Sequence, residues 1–148
     1  MSGPTLRRPV SVLVVVFTDD AEVLLLRRSQ PFDFWQSVTG SLKDDEVHAD
    51  AAARELREET GFTDEGELTG SNLSRRFDID PRWQDRFGPG VVQNEEFEWR
   101  YRLTVPRDIE LNEKEHSEYQ WLPLNEAIDT VWSWTNRDAL RALNADMQ

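Results

Sequence analysis

The chain has 148 residues, a formal net charge of −12 and no cysteine. That length supports one domain, residues 1–148, with a sizeable core. The charge disfavours nonspecific nucleic-acid or anionic-membrane partners, though arginines or a cation can reverse the potential in one cleft and admit a phosphorylated ligand. The missing cysteines exclude disulfides, thiolate metal sites and cysteine nucleophiles. No stretch reaches transmembrane length. Arg7 and Arg8 ahead of residues 10–17 imitate a secretory leader, but the run is short and leads into Asp19 and Asp20, which reads as a buried strand. The expected location is the cytoplasm.

In chain order, residues 9–17 form a β-branched run expected as a central strand. After a turn at 18–21, residues 22–28 are expected to pair with it as a hairpin. Residues 35–38 read as a short strand. A helix follows over 47–60, its apolar face expected from Ala49, Ala52, Ala53 and Leu56. Asp44 or Asp45 is the candidate N-terminal cap, and Gly61 stands where a terminating glycine belongs. Residues 65–80 suggest short strands, and 81–90 a long functional loop. Residues 97–105 alternate apolar and polar side chains, as a half-buried strand does. Residues 118–122 give a last strand, and 124–131 and 135–143 two helices, the second capped by Thr135. Strands and helices mix without β-α-β regularity, so the expected class is α+β, a mixed sheet with helices on both faces.

The helix at 47–60 carries the chemistry. Glu55, Glu58 and Glu59 fall at i, i+3 and i+4 and share one face. Three carboxylates there repel one another, and a hard divalent cation with oxygen ligands offsets this. The predicted site is one for Mg²⁺ or Mn²⁺.

The spacing goes further. Gly40, five residues, Glu46, seven residues, Arg54-Glu55-Leu56, one residue, Glu58-Glu59, one residue, Gly61-Phe62 is similar to the Nudix box over residues 40–62, without a gap. The resemblance implies a Nudix hydrolase: an α/β/α sandwich around a mixed sheet, binding divalent cations and cleaving pyrophosphate bonds. It makes Glu55 and Glu59 the main metal ligands, with Glu58, Glu115 and the Gly40 carbonyl as further ligands. Either Glu58 or Glu115 would serve as the base. Arg54 would orient a box glutamate, Glu58 being within reach at i+4.

Outside the box, the segments at 7–11, 33–41, 89–91 and 115–122, and Trp134 with Asn136 and Arg137, resemble the bacterial subgroup acting on dihydroneopterin triphosphate in folate synthesis. That subgroup is also described by activity on dATP. It implies release of pyrophosphate from a small-molecule triphosphate, with substrate contacts at Arg7, Arg28, Thr39, Phe77, Asp78, Ile79, Asp80 and Ser133. This chain departs in three places: Arg7 replaces a lysine, Asp80 an expected aromatic, and Asp45 the glycine common before the first box glutamate. A purine nucleoside triphosphate or a diadenosine polyphosphate remains an alternative substrate. A catalytically silent sensor is the alternative of another class, which the intact Arg54, Glu55, Glu58 and Glu59 disfavour.

Of Arg27 and Arg28, strand alternation lets one face the cleft, and Arg28 is the candidate. Trp35, Trp132 and Trp134 are candidates to wall a ring-binding pocket; Trp99 and Trp121 are expected in the core. His48 and His116 read as surface or structural residues. The oligomer is expected to be a monomer or small homo-oligomer.

Overall fold

A computed structural model describes residues 6–148. Strand β1 (Val10–Thr18) is its axis: an unbroken β-branched run whose two faces are both covered, as a central strand requires. It pairs in parallel with β6 (Gln93–Leu103) along its whole length, from Val10↔Glu95 to Thr18↔Leu103. On the other side β4 (Val38–Ser41) runs antiparallel to it. Strand β2 (Glu22–Arg28) touches β1 only at Phe17↔Val23, then pairs with β3 (Phe34–Gln36) and β7 (His116–Pro123). The expected hairpin is therefore confined to its turn. Strand β5 (Glu67–Asp78) pairs with β6 and completes a mixed sheet of seven strands.

Two apolar clusters hold the layers together. Val12, Val14 and Val16 with Leu56, Ala51 and Ala52 pack helix α1 (His48–Thr60) on one face. Leu13 and Val15 with Ala139, Leu140 and Leu143 pack α2 (Leu124–Thr130) and α3 (Trp134–Met147) on the other. This is the expected α/β/α sandwich. None of the helices among the described residues is long and apolar enough to cross a membrane.

Several local expectations are corrected. The inward stripe of α1 is Ala51, Ala52, Glu55, Leu56, Glu59 and Thr60, while Ala49 and Ala53 are exposed. The helix is thus rotated so that two carboxylates, not two more alanines, face inward. Val47 occupies its N-cap without a side-chain bond, so neither Asp44 nor Asp45 caps it. Asp45 instead takes a left-handed backbone (φ 62°), which accounts for the glycine common there and which aspartate tolerates better than most residues. Gly61 ends the helix as expected, at φ 81° with its N–H donating to Arg57 O. Residues 81–86 form a 3-10 turn within the expected loop. Strand β6 starts at Gln93, before the expected 97–105, and Glu98, expected toward solvent, is 2% exposed, with Glu96 beside it 7% exposed. Ser133, not Thr135, caps α3, accepting from Asn136 N at 3.0 Å.

The start of α3 is tied to the sheet by Asn136. Its Oδ1 accepts from Ser37 N (2.8 Å) and its Nδ2 donates to Ser37 Oγ (2.9 Å), all buried. Asn136→Ala leaves the Ser37 N–H and hydroxyl without these partners and is expected to cost about 2–4 kcal/mol of stability, read by urea unfolding. A loss below about 0.5 kcal/mol, the level of a neutral surface change, would contradict this anchoring.

Candidate active site

The Nudix-type loop and helix are clamped by Arg54. Its Nε and Nη2 each donate to the Glu46 carboxylate at 2.9 Å, its Nη1 to Glu55 at 2.9 Å and Glu58 at 3.3 Å, and Nη2 also to Ser41 O at 3.1 Å. Its principal partner is thus Glu46, with Glu58 a longer contact. The bidentate pair, helped by Lys43 N–H, holds Glu46 at a pKa of about 2. Arg54 is correspondingly raised. Glu55 lies directly over Gly40; a Cβ at position 40 would overlap its carboxylate. Burial pushes Glu55 up to about 7, and Arg54 only partly opposes this.

Glu59 is 1% exposed and meets His116, 2% exposed, at the start of β7. Glu59 Oε2 and His116 Nδ1 stand 2.6 Å apart without hydrogen-bond alignment, and neither atom finds another partner. Gln36 Nε2 lies 3.1 Å from His116 Nε2. An amide nitrogen only donates, so this amide orientation assigns the ring proton to Nδ1, facing Glu59. Burial raises the Glu59 pKa while His116 opposes it. Glu115, exposed and adjacent, completes a group with Glu59 and His116 whose ligand atoms all lie within 4.8 Å of one another. Buried carboxylate oxygens therefore outnumber the donors serving them. That donor set, with an orphaned Glu59 oxygen and a Gly40 that leaves room for Glu55, fits a hard divalent cation. His116 was expected to be merely structural; His48 is so, stacked on Phe97 at 4.0 Å and accepting from Trp99 Nε1 at 2.9 Å.

Beside these residues lies a cleft of about 780 Å³, within the range of small-molecule sites. Arg54, Glu55, Glu58, Gly40 and Glu115 line it, as do the expected substrate residues Arg7, Arg28, Thr39, Phe77, Asp78, Ile79, Asp80 and Ser133. Arg27 points elsewhere and pairs with Asp33 and Glu118 at the surface. Crowding by protein atoms lowers the pKa of Arg7 and of Arg28, with Arg86 adding repulsion to both and Glu115 attraction. The three arginines form a local positive field in an acidic protein. Some polar groups are already engaged: Thr39 Oγ1 donates to Val12 O, the Ser133 hydroxyl caps α3, and Asp80 binds Arg82 twice at 2.9 Å.

Sequence reasoning missed Glu46 as the principal partner of Arg54, Arg86 beside the other arginines, Gln36 behind His116, and Trp83. The Trp83 N–H donates to Asp80 O, and its ring lines the cleft one turn beyond the position where an aromatic was expected. Trp35 does not line it and packs instead on the α2–α3 side of the sheet. Trp99 and Trp121 are partly buried against the α1-side core.

The raised carboxyls set a pH dependence. Glu55 moves from an ordinary 4.5 to about 7 and Glu59 also upward, so the metal-free folded chain binds more protons than the unfolded chain in that window. Its stability is expected to fall as pH rises from about 5 to 8. Thermal melts of metal-free protein should show this fall, a shallower one in Glu55→Gln, and a greater gain from added divalent cation at pH 8 than at pH 5. Identical pH profiles in the two proteins would contradict the assigned burial effect.

The chain matches the NUDIX domain over residues 7–143. It is 38% identical to the dihydroneopterin triphosphate diphosphatase of Escherichia coli over 144 residues, 95% of each chain. The structure of the E. coli dihydroneopterin triphosphate pyrophosphohydrolase superposes with a TM-score of 0.90 at 35% identity, over 97% of this chain and 99% of that one. A C. elegans Ap4A hydrolase in a binary complex is more distant, with a TM-score of 0.71 at 25% identity over 93% and 97%. Box, sandwich and clustered carboxylates agree with these likenesses, and the chain belongs to the Nudix hydrolase family.

Proposed function

We propose that the chain converts dihydroneopterin triphosphate and water to dihydroneopterin monophosphate and pyrophosphate, the reaction implied by the name of its E. coli relative. What carries this reading is the layout of one cleft: Glu55 and Glu58 of α1, the cationic Arg7 and Arg28, and the exposed tryptophans Trp132 and Trp134 all line it. Such a cleft suits a triphosphate joined to a flat ring. A divalent cation, Mg²⁺ or Mn²⁺, supplies charge neutralisation on non-bridging phosphate oxygens when bound. Glu55, Glu59 and Glu115, with the Gly40 carbonyl, would hold it.

The remaining roles fall to the chain's own groups. Arg54, fixed by Glu46, orients Glu55 and Glu58. Arg7 and Arg28 bind the phosphates. A water attacks phosphorus at the bridge between the α and β phosphates, the P–O–P bond breaks, and pyrophosphate leaves. The water's proton passes to a carboxylate, Glu58 on the cleft rim or the exposed Glu115. The protein acts on this small molecule in the cytoplasm, as a monomer or small homo-oligomer.

The test is a panel of dihydroneopterin triphosphate, dATP, GTP and diadenosine tetraphosphate with Mg²⁺, measuring kcat/KM and products. The pterin should be far the best substrate and release pyrophosphate; a nucleotide preference would contradict the proposal. In the same assay Arg28→Ala should lower kcat/KM by about 10- to 100-fold. Arg27→Ala should stay within about twofold, since exposed ion pairs contribute little.

A further inference from the structure

Glu96 has no part in the chemistry above, yet it lines the same cleft and is 7% exposed. The register Ser11↔Glu96 puts it on the face of β6 opposite α1. It forms no ion pair among the described residues. Glu98, two residues on and on the same face, takes Arg75 at 2.8 Å and Arg100 at 3.4 Å. The direct ion pairs of this region thus go to the neighbour, and Arg75 reaches Glu96 only at longer range. Beside Glu96 the polar floor is self-satisfied: Asn94 Nδ2 donates to Ser11 Oγ at 2.8 Å. Burial lifts the Glu96 pKa to about 7, although the Thr135 hydroxyl and the more distant Arg75 oppose the rise. A buried carboxylate without a directly paired counter-ion is costly. It is retained at low cost only if a ligand brings donors to it.

Resting on the proposed triphosphate substrate, we infer that Glu96 reads the ring. Its two oxygens accept from the adjacent ring N–H and exocyclic NH₂ of a 2-amino-4-oxopyrimidine edge, the edge shared by pterins and guanine. Two parallel N–H donors match one carboxylate as a guanidinium does. Trp132 and Trp134, exposed in the same cleft, offer the flat faces such a ring stacks on. Adenine presents one donor beside a bare ring nitrogen, which opposes a carboxylate oxygen lone pair. A site built on hydrogen bonds to such donors discriminates strongly against a ring lacking one.

Glu96→Gln keeps the shape but replaces one acceptor with a donor, the pattern adenine complements. Two readouts test it. In steady-state assays the ratio of kcat/KM for dihydroneopterin triphosphate to that for dATP should fall by about tenfold or more. In metal-free buffer, tryptophan-fluorescence titration with phosphate-free neopterin, guanosine and adenosine should show Glu96→Gln losing affinity for the first two relative to adenosine by a similar factor. The Mn²⁺ affinity should hold and the melting temperature should hold or rise, separating ring recognition from damage to the metal site or fold. A wild-type enzyme that favours the pterin, with the ratios kept in Glu96→Gln, overturns this inference alone. A wild-type enzyme that favours dATP overturns the proposed substrate, and the nucleoside titrations then decide the role of Glu96 independently.

Discussion

The burial of Glu55 and Glu59 on the core-facing stripe of α1 is the constraint on which the rest of the site depends. A carboxylate removed from water resists ionisation unless a positive group replaces the lost solvation. Arg54 does so in part for Glu55, while Glu59 has only the neighbouring His116 ring to oppose the rise. The surrounding residues make this arrangement possible. Gly40 leaves the space Glu55 fills, and Glu46 absorbs two of the Arg54 donors, so that the guanidinium is fixed and does not fully neutralise its neighbours. What remains is a deficit of positive charge at a fixed place, which is the physical meaning of a site that suits a divalent cation.

The cleft reconciles a net charge of −12 with an anionic substrate. Long-range repulsion is screened over about 8–10 Å at physiological salt, so the field a bound phosphate feels is set locally. There, burial lowers the pKa values of Arg7 and Arg28, and repulsion from nearby Arg86 adds to it. An anion replaces the lost solvation and offsets that repulsion. The same cleft therefore carries opposite, incomplete charges on neighbouring walls, and a cation together with a polyphosphate completes both.

The chemistry was legible in the sequence because it is local. Gly40, Arg54, Glu55, Glu58 and Glu59 lie within 20 residues on one loop and helix, where helical spacing fixes their geometry. The first two strands and α1 were legible for the same reason, from β-branched runs and the closing Gly61, whereas the one strand expected at 35–38 is two, β3 and β4, and 65–80 holds the single long β5. What escaped depends on tertiary packing. The choice between Ala49 and Ala51 for the buried stripe is decided by which side of α1 meets β1, and a row of alanines gives little bias. Glu98 looked like the wet side of an alternating strand, and Glu96 fell outside the expected 97–105; only the placement of α3 and of Arg75 and Arg100 covers them. The partnership of His116 with Glu59 joins positions 57 residues apart, and no local pattern encodes it.

The central claim is that the inward carboxylates of α1 hold a divalent cation. Anomalous diffraction from crystals grown with Mn²⁺ tests it most directly. The account predicts a manganese peak in contact with the Glu55 and Glu59 carboxylates, lost in Glu59→Gln crystals. A peak found only at surface acids, or one unchanged in that variant, would contradict it.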